Sequence, residues 1–141
     1  MATEAMTRDR ALDFIRRNHR TILATRRADG QPQMTPVLAV VDEDGTLMIS
    51  SWETAVKTRN LRRDGRAWLC VLTDAFFGEW VQAEGTVEVE SLPGAMDALV
   101  RYYRTGFGEH DDWDDYRRAM VRDKRVILRV TVDRVGPTVS G

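Results

Sequence analysis

Trp80-Val81-Gln82-Ala83-Glu84-Gly85-Thr86-Val87-Glu88-Val89-Glu90 is the stretch that decides the fold. Val81, Ala83, Gly85, Val87 and Val89 alternate with Trp80, Gln82, Glu84, Thr86, Glu88 and Glu90. Side chains on an extended chain point to opposite faces with a period of two, so this pattern predicts a strand with one dry and one wet face. Arg125 to Asp133 repeats it, with Val126, Leu128, Val130 and Val132 on one side and Arg125, Ile127, Arg129, Thr131 and Asp133 on the other.

Working outward, Thr21 to Arg26, Met34 to Val41, Thr46 to Ser50 and Ala67 to Leu72 supply four more short apolar, β-branched strands. Ala28-Asp29-Gly30-Gln31 and Asp42-Glu43-Asp44-Gly45 read as hairpin turns, and Phe76-Phe77-Gly78 as a further connection. Helical spacing is predicted after a Thr7 cap (Ala11, Leu12, Phe14, Ile15), over Thr54 to Asp64, over Pro93 to Arg104 and over Asp112 to Arg122. Six antiparallel strands with helices inserted predict a small α+β fold, a β-barrel with peripheral helices, in a single domain over residues 1–141.

Composition excludes more than it identifies. Forty-three per cent hydrophobic residues in 141 suffice for one modest core. One cysteine, Cys70, removes a disulfide framework and any Cys-rich zinc site. Asp111, Asp112, Asp114 and Asp115 lack calcium-loop spacing and read as an acidic helix start, so no metal is expected. No apolar run approaches the roughly 20 residues of a membrane span, and Met1 to Arg10 has no apolar signal core. A cytoplasmic protein with no membrane partner is the expectation. Residues 1–70 carry +3 and residues 71–141 carry −4, too mild an asymmetry for a nucleic-acid partner.

The densest chemical signal is Lys57-Thr58-Arg59-Asn60-Leu61-Arg62-Arg63-Asp64-Gly65-Arg66, five cations in ten residues, directly after Ser50-Ser51-Trp52. Nineteen of the 21 basic residues are arginine, which makes Lys57 conspicuous. Lys57 falls on the first turn of the predicted helix, three residues from Asn60, with Ser50 and Thr54 just upstream. A helix N-terminus with a lysine and hydroxyls suits a phosphate or carboxylate. By charge alone the same run is also a solvated basic face.

The Lys57–Arg66 run, the Ala83-Glu84-Gly85 strand and Glu109-His110-Asp111-Asp112-Trp113-Asp114-Asp115-Tyr116-Arg117 together resemble the split β-barrel flavin/deazaflavin oxidoreductases. That superfamily includes pyridoxamine 5′-phosphate oxidase, and the resemblance is greatest to its actinobacterial branch that uses the deazaflavin coenzyme F420. It spans about Leu12 to Val135. It implies a homodimer of six-stranded barrels with cofactor sites at the interface. Lys57 matches the lysine on the cofactor phosphate and Ser50 the hydroxyl beside it, with Thr58 and Asn60 as polar neighbours on the same helix. Gln33, Thr35, Pro36 and Val37 match the second-strand segment along the ring system. Trp80 falls where the family places an aromatic from the other subunit; read from its strand alone it is equally a core or dimer-seam residue.

The implied activity is hydride transfer from reduced coenzyme F420 to a small electron-poor organic molecule. Such chemistry resides in the cofactor and needs no nucleophile or triad from the protein. The catalytic residues therefore stay unknown, with His19 and His110 reading as surface or helix-end residues. An FMN-binding oxidase resembling pyridoxamine 5′-phosphate oxidase is the alternative. Against it, Gly136-Pro137-Thr138-Val139-Ser140-Gly141 lacks the tryptophan- and arginine-bearing segment of the true oxidase. A non-catalytic flavin, deazaflavin or haem binder is the third possibility.

Overall fold

A computed structural model of the chain describes residues 5–75 and 77–137. Phe76 of the expected Phe76-Phe77-Gly78 turn, and Thr138 to Gly141, lie outside the described residues. The elements run α1 (Arg8–Arg17), β1 (Arg20–Arg26), β2 (Pro32–Leu38), β3 (Val40–Val41), β4 (Leu47–Trp52), α2 (Val56–Arg63), β5 (Arg66–Leu72), β6 (Trp80–Glu90), α3 (Met96–Phe107), α4 (Trp113–Arg122) and β7 (Arg125–Gly136). Every strand pairing is antiparallel, in the order β2-β1-β5-β6-β7-β4-β3. The two ends of that order, β2 and β3, are consecutive in the chain, so the sheet curls round on itself into a split barrel.

The strand count corrects the expectation of six. Met34 to Val41 reads as one strand, but it breaks at Ala39, whose N–H donates to the His19 carbonyl at 2.9 Å. Before the break the chain pairs with β1; after it, Val40 and Val41 pair with Met48 and Leu47 of β4. The break is the corner at which the chain crosses from one edge of the sheet to the other. It leaves β2 an edge strand, with alternate backbone groups directed off the ladder.

Two cores follow from the two faces. Inside the barrel, Leu23, Leu69, Val71, Val81, Ala83 and Leu128 pack with Leu12, Phe14 and Ile15 of α1. Thr7 caps that helix by accepting from the Arg10 N–H at 3.2 Å. On the outside of β4 and β7, Met48 and Ile127 are covered by Leu99 and Tyr102 of α3 and Tyr116 of α4. Asp112 caps α4 by accepting from the Asp115 N–H at 3.1 Å, so the acidic run does begin a helix. A bulge at Glu84/Gly85 brings β7 so close that a Cβ on Gly85 would lie 2.0 Å from the Thr131 carbonyl oxygen. Only glycine fits there.

Candidate functional site

The end of β4, the start of α2 and the start of β7 converge on one rim. Ser50 and Trp52 alternate with Ser51, so they face outward while Ser51 is buried in the barrel. The ladder sets Ser50 opposite Ile127 and Trp52 opposite Arg125. The Arg125 guanidinium stacks on the Trp52 indole, 4.6 Å from the ring centroid, and the indole stays 48% exposed. At the inner end of the rim the Tyr102 hydroxyl donates to the Leu38 carbonyl at 3.1 Å, with the Ser50 backbone beside it. That phenol ties the end of β2 to β4, and burial raises its pKa.

The α2 helix begins at Val56, two residues later than its spacing predicts, so Thr54 is not its cap. The capping position is Ala55, which has no side chain able to accept from the first-turn N–H groups. Lys57 sits on that first turn, half-buried at the rim. Burial, and then the neighbouring Arg125 charge, lower the Lys57 pKa from its ordinary value. Two cations therefore stand together at a helix N-terminus, and among the described residues neither forms an ion pair with a carboxylate. Such an arrangement selects an anion.

Thr58 and Asn60 are placed differently from Lys57. Thr58 is wholly buried, its hydroxyl 2.9 Å from the Ser51 hydroxyl and donating to the Trp52 carbonyl at 2.7 Å. The Asn60 amide is 4% exposed; it donates to the Thr25 hydroxyl at 3.1 Å and accepts from Arg63 at 3.0 Å. Both side chains are spent on anchoring α2 to the barrel and turn away from the rim. Thr58 lies about 100° round the helix from Lys57, and Thr58, Asn60 and Leu61 form the buried side of α2.

Gln33, Thr35 and Val37 share the inner face of β2, and Pro36 the outer one. The Thr25 hydroxyl donates to Gln33 Oε1 at 3.5 Å and accepts from Asn60, linking β2 to α2 through β1. Trp80 opens β6 on the outer sheet face, opposite Leu72 and 42% exposed. Within one chain it is not brought to Lys57. His19 Nδ1 bonds the Ala39 carbonyl at 2.9 Å, and His110 Nδ1 accepts from the Asp112 N–H at 2.9 Å. Cys70 lies half-buried on that outer sheet face, and burial raises its thiol pKa.

The residue that sequence reading misses is Arg125. Its Nε is buried without a hydrogen-bond partner, the single such side-chain atom among the described residues. In the sequence it is one arginine of nineteen, on the wet side of an alternating strand. Only its register opposite Trp52 and its closeness to Lys57 set it apart.

The relatives of the chain agree with this architecture. A profile of the pyridoxamine 5′-phosphate oxidase family matches residues 7–138. The F420H2-dependent biliverdin reductase of Mycobacterium tuberculosis (strain CDC 1551 / Oshkosh) is 28% identical over 129 residues, 90% of this chain and 85% of that protein. Among solved structures, the conserved hypothetical protein Rv2991 from Mycobacterium tuberculosis superposes with a TM-score of 0.77 at 26% identity, over 96% of this chain and 86% of its own. An F420 reductase superposes with a TM-score of 0.68 at 20% identity, over 88% of this chain and 94% of its own, a likeness of fold. The curled seven-stranded sheet, the break that closes it and the profile match together make this chain a member of the pyridoxamine 5′-phosphate oxidase family.

Proposed function

We propose that the chain is an oxidoreductase that binds coenzyme F420 at the Lys57 rim and passes a hydride to a small electron-poor organic acceptor, working as a homodimer. The observation that carries this is the half-buried Lys57 beside the uncapped start of α2, a fit for the phosphorylated tail of such a cofactor. Kinship with a reductase named for reduced F420 supports the deazaflavin over FMN. When bound, the deazaflavin supplies the hydride chemistry itself.

The chain's part is to bind, orient and exclude water. Lys57 holds the tail as a point charge, and the Ser50 hydroxyl on the same rim adds a donor. Gln33, Thr35, Pro36 and Val37 on the β2 edge offer backbone groups to the polar edge of a ring system. Thr58 and Asn60 act by fixing α2, and with it Lys57, rather than by touching the cofactor. The dimer reading is supported by the outer sheet face, where Pro36 and Met34 of β2, Ile22 of β1, Trp68 and Leu72 of β5 and Trp80 of β6 make an apolar surface. Packing that face against a second copy would give Trp80 to the neighbour's site.

FMN is the second reading, because its phosphate would suit the same lysine. Parallel titration with coenzyme F420 and FMN decides between them.

A further inference from the structure

We propose that a polar cavity at the opposite end of β4 from Lys57 binds a small polycarboxylate that carries a hydroxyl, with Arg16, Arg101 and Arg104 holding its carboxylates and Glu43 accepting from its hydroxyl. The site stands apart from the Lys57 rim, whatever cofactor that rim holds.

The cavity has a volume of about 400 Å³, enough for a small molecule. It lies between the end of α1, the turn that joins β3 to β4 and the last two turns of α3. From that turn β4 runs from Leu47 to Trp52, roughly 17 Å of extended chain, before it reaches the rim. Arg101, Arg104 and Thr105 stand at i, i+3 and i+4 of α3, so one helix face brings all three to the cavity.

Ion pairs hold these guanidiniums in place without using up their donors, since each has more N–H groups than one carboxylate accepts. Arg101 gives Nε and Nη2 to Asp42, each at 3.1 Å, and its Nη1 has no acceptor among the described residues. Arg104 lies over the Trp113 indole, 4.8 Å from the ring centroid, and gives Nε to Glu109 at 2.6 Å. Both of its Nη groups stay free. Arg16 gives Nη1 to Asp13 at 2.6 Å and keeps Nη2. Asp42 is spent, because it also accepts from Arg129 at 2.8 Å and from the Glu43 N–H at 2.9 Å. Among the described residues the Glu43 carboxylate has no ion pair and the Thr105 hydroxyl no partner.

Free guanidinium donors on α1 and α3 match carboxylates, and a ligand with two or more of them bridges the two helices. Glu43 repels a ligand that is anionic all round. It favours one that turns a hydroxyl toward it, while Val41 supplies an apolar wall for methylene groups.

The test titrates the whole protein with citrate, with tricarballylate (citrate without its hydroxyl) and with acetate, by calorimetry and by Tm. Citrate is expected to bind saturably and raise Tm, at least about threefold more tightly than tricarballylate, with no effect of acetate. Arg16→Gln/Arg104→Gln should lose at least about tenfold in citrate affinity. Its ligand-free Tm should stay within about 3 °C of the parent, since exposed ion pairs contribute little. Arg16→Gln alone, on the solvent side of α1, should lose at least about threefold. Glu43→Ala should bind citrate and tricarballylate alike, and Lys57→Ala should bind citrate as the parent does. No saturable binding of citrate overturns the proposal, as does a parent that binds tricarballylate equally well. Citrate binding that survives Arg16→Gln/Arg104→Gln and is lost in Lys57→Ala also overturns it, because the anion then sits at the rim.

Discussion

The hydroxyls of Ser51 and Thr58 meet 2.9 Å apart inside the barrel, and this buried pair fixes the start of α2 against the end of β4. Lys57 is the residue before Thr58, so the pair also fixes the lysine at the rim. Thr58→Val keeps the shape and deletes the hydroxyl, leaving the Ser51 hydroxyl without its partner and the Trp52 carbonyl with the Ala55 N–H alone. The expected cost is about 1–3 kcal/mol of stability. Cofactor affinity should fall with it, read by urea denaturation and by titration on the same sample.

Gly85→Ala tests the closure of the sheet. Its Cβ would be driven into the Thr131 carbonyl across the bulge, a contact that only backbone movement relieves. The expected loss is about 1–3 kcal/mol, seen as a lower urea midpoint with little change in slope.

Asp42 carries the clearest pH dependence. Burial alone would push its carboxyl up, but hydrogen bonds from Arg101 and Arg129 outweigh it and hold the pKa at about 2, below the ordinary 3.8. A carboxylate held below its unfolded value contributes stability that is full above about pH 4 and lost as pH falls through 2. The shift corresponds to about 2 kcal/mol. Asp42→Asn should therefore be less stable than the parent at pH 7, with the gap closing as the pH approaches 2. A gap that is constant across that range would contradict the assignment.

Lys57 and Lys124 are the two lysines of the chain, so selective labelling of lysine gives two NMR signals. In the ligand-free protein the Lys57 signal should titrate below the ordinary 10.5, because burial and Arg125 both disfavour its charge. A bound phosphate favours the charged form and should move that titration back up. Lys57→Ala identifies the signal. A Lys57 signal that titrates at the ordinary value would refute the crowded cationic rim.

Much of the barrel is legible in the sequence because the period of two survives wherever one sheet face stays wet, as in β6 and β7. The corner at Ala39 is not, since Met34 to Val41 remains compatible with one strand whichever partner it pairs with. Lys57 stands out as a lysine among arginines on a basic helix. Thr58 and Asn60 look like its companions, but their side chains bond Ser51, Trp52 and Thr25 in the barrel, partners that no local pattern reveals. Arg125 is invisible for the opposite reason, an arginine among arginines whose meaning lies in tertiary neighbours. Tyr102 is hidden in an apolar helix face, with no local sign that its hydroxyl joins β2 to β4.

The most direct test of the central claim is a parallel titration of the purified protein with coenzyme F420 and with FMN, alongside Lys57→Ala. Binding of coenzyme F420 should be saturable and that of FMN weaker, and Lys57→Ala should lose about 1.5–3 kcal/mol, roughly tenfold to more than a hundredfold in Kd. Tight binding of FMN with none of coenzyme F420, or a Lys57→Ala protein that binds coenzyme F420 as well as the parent, would contradict it.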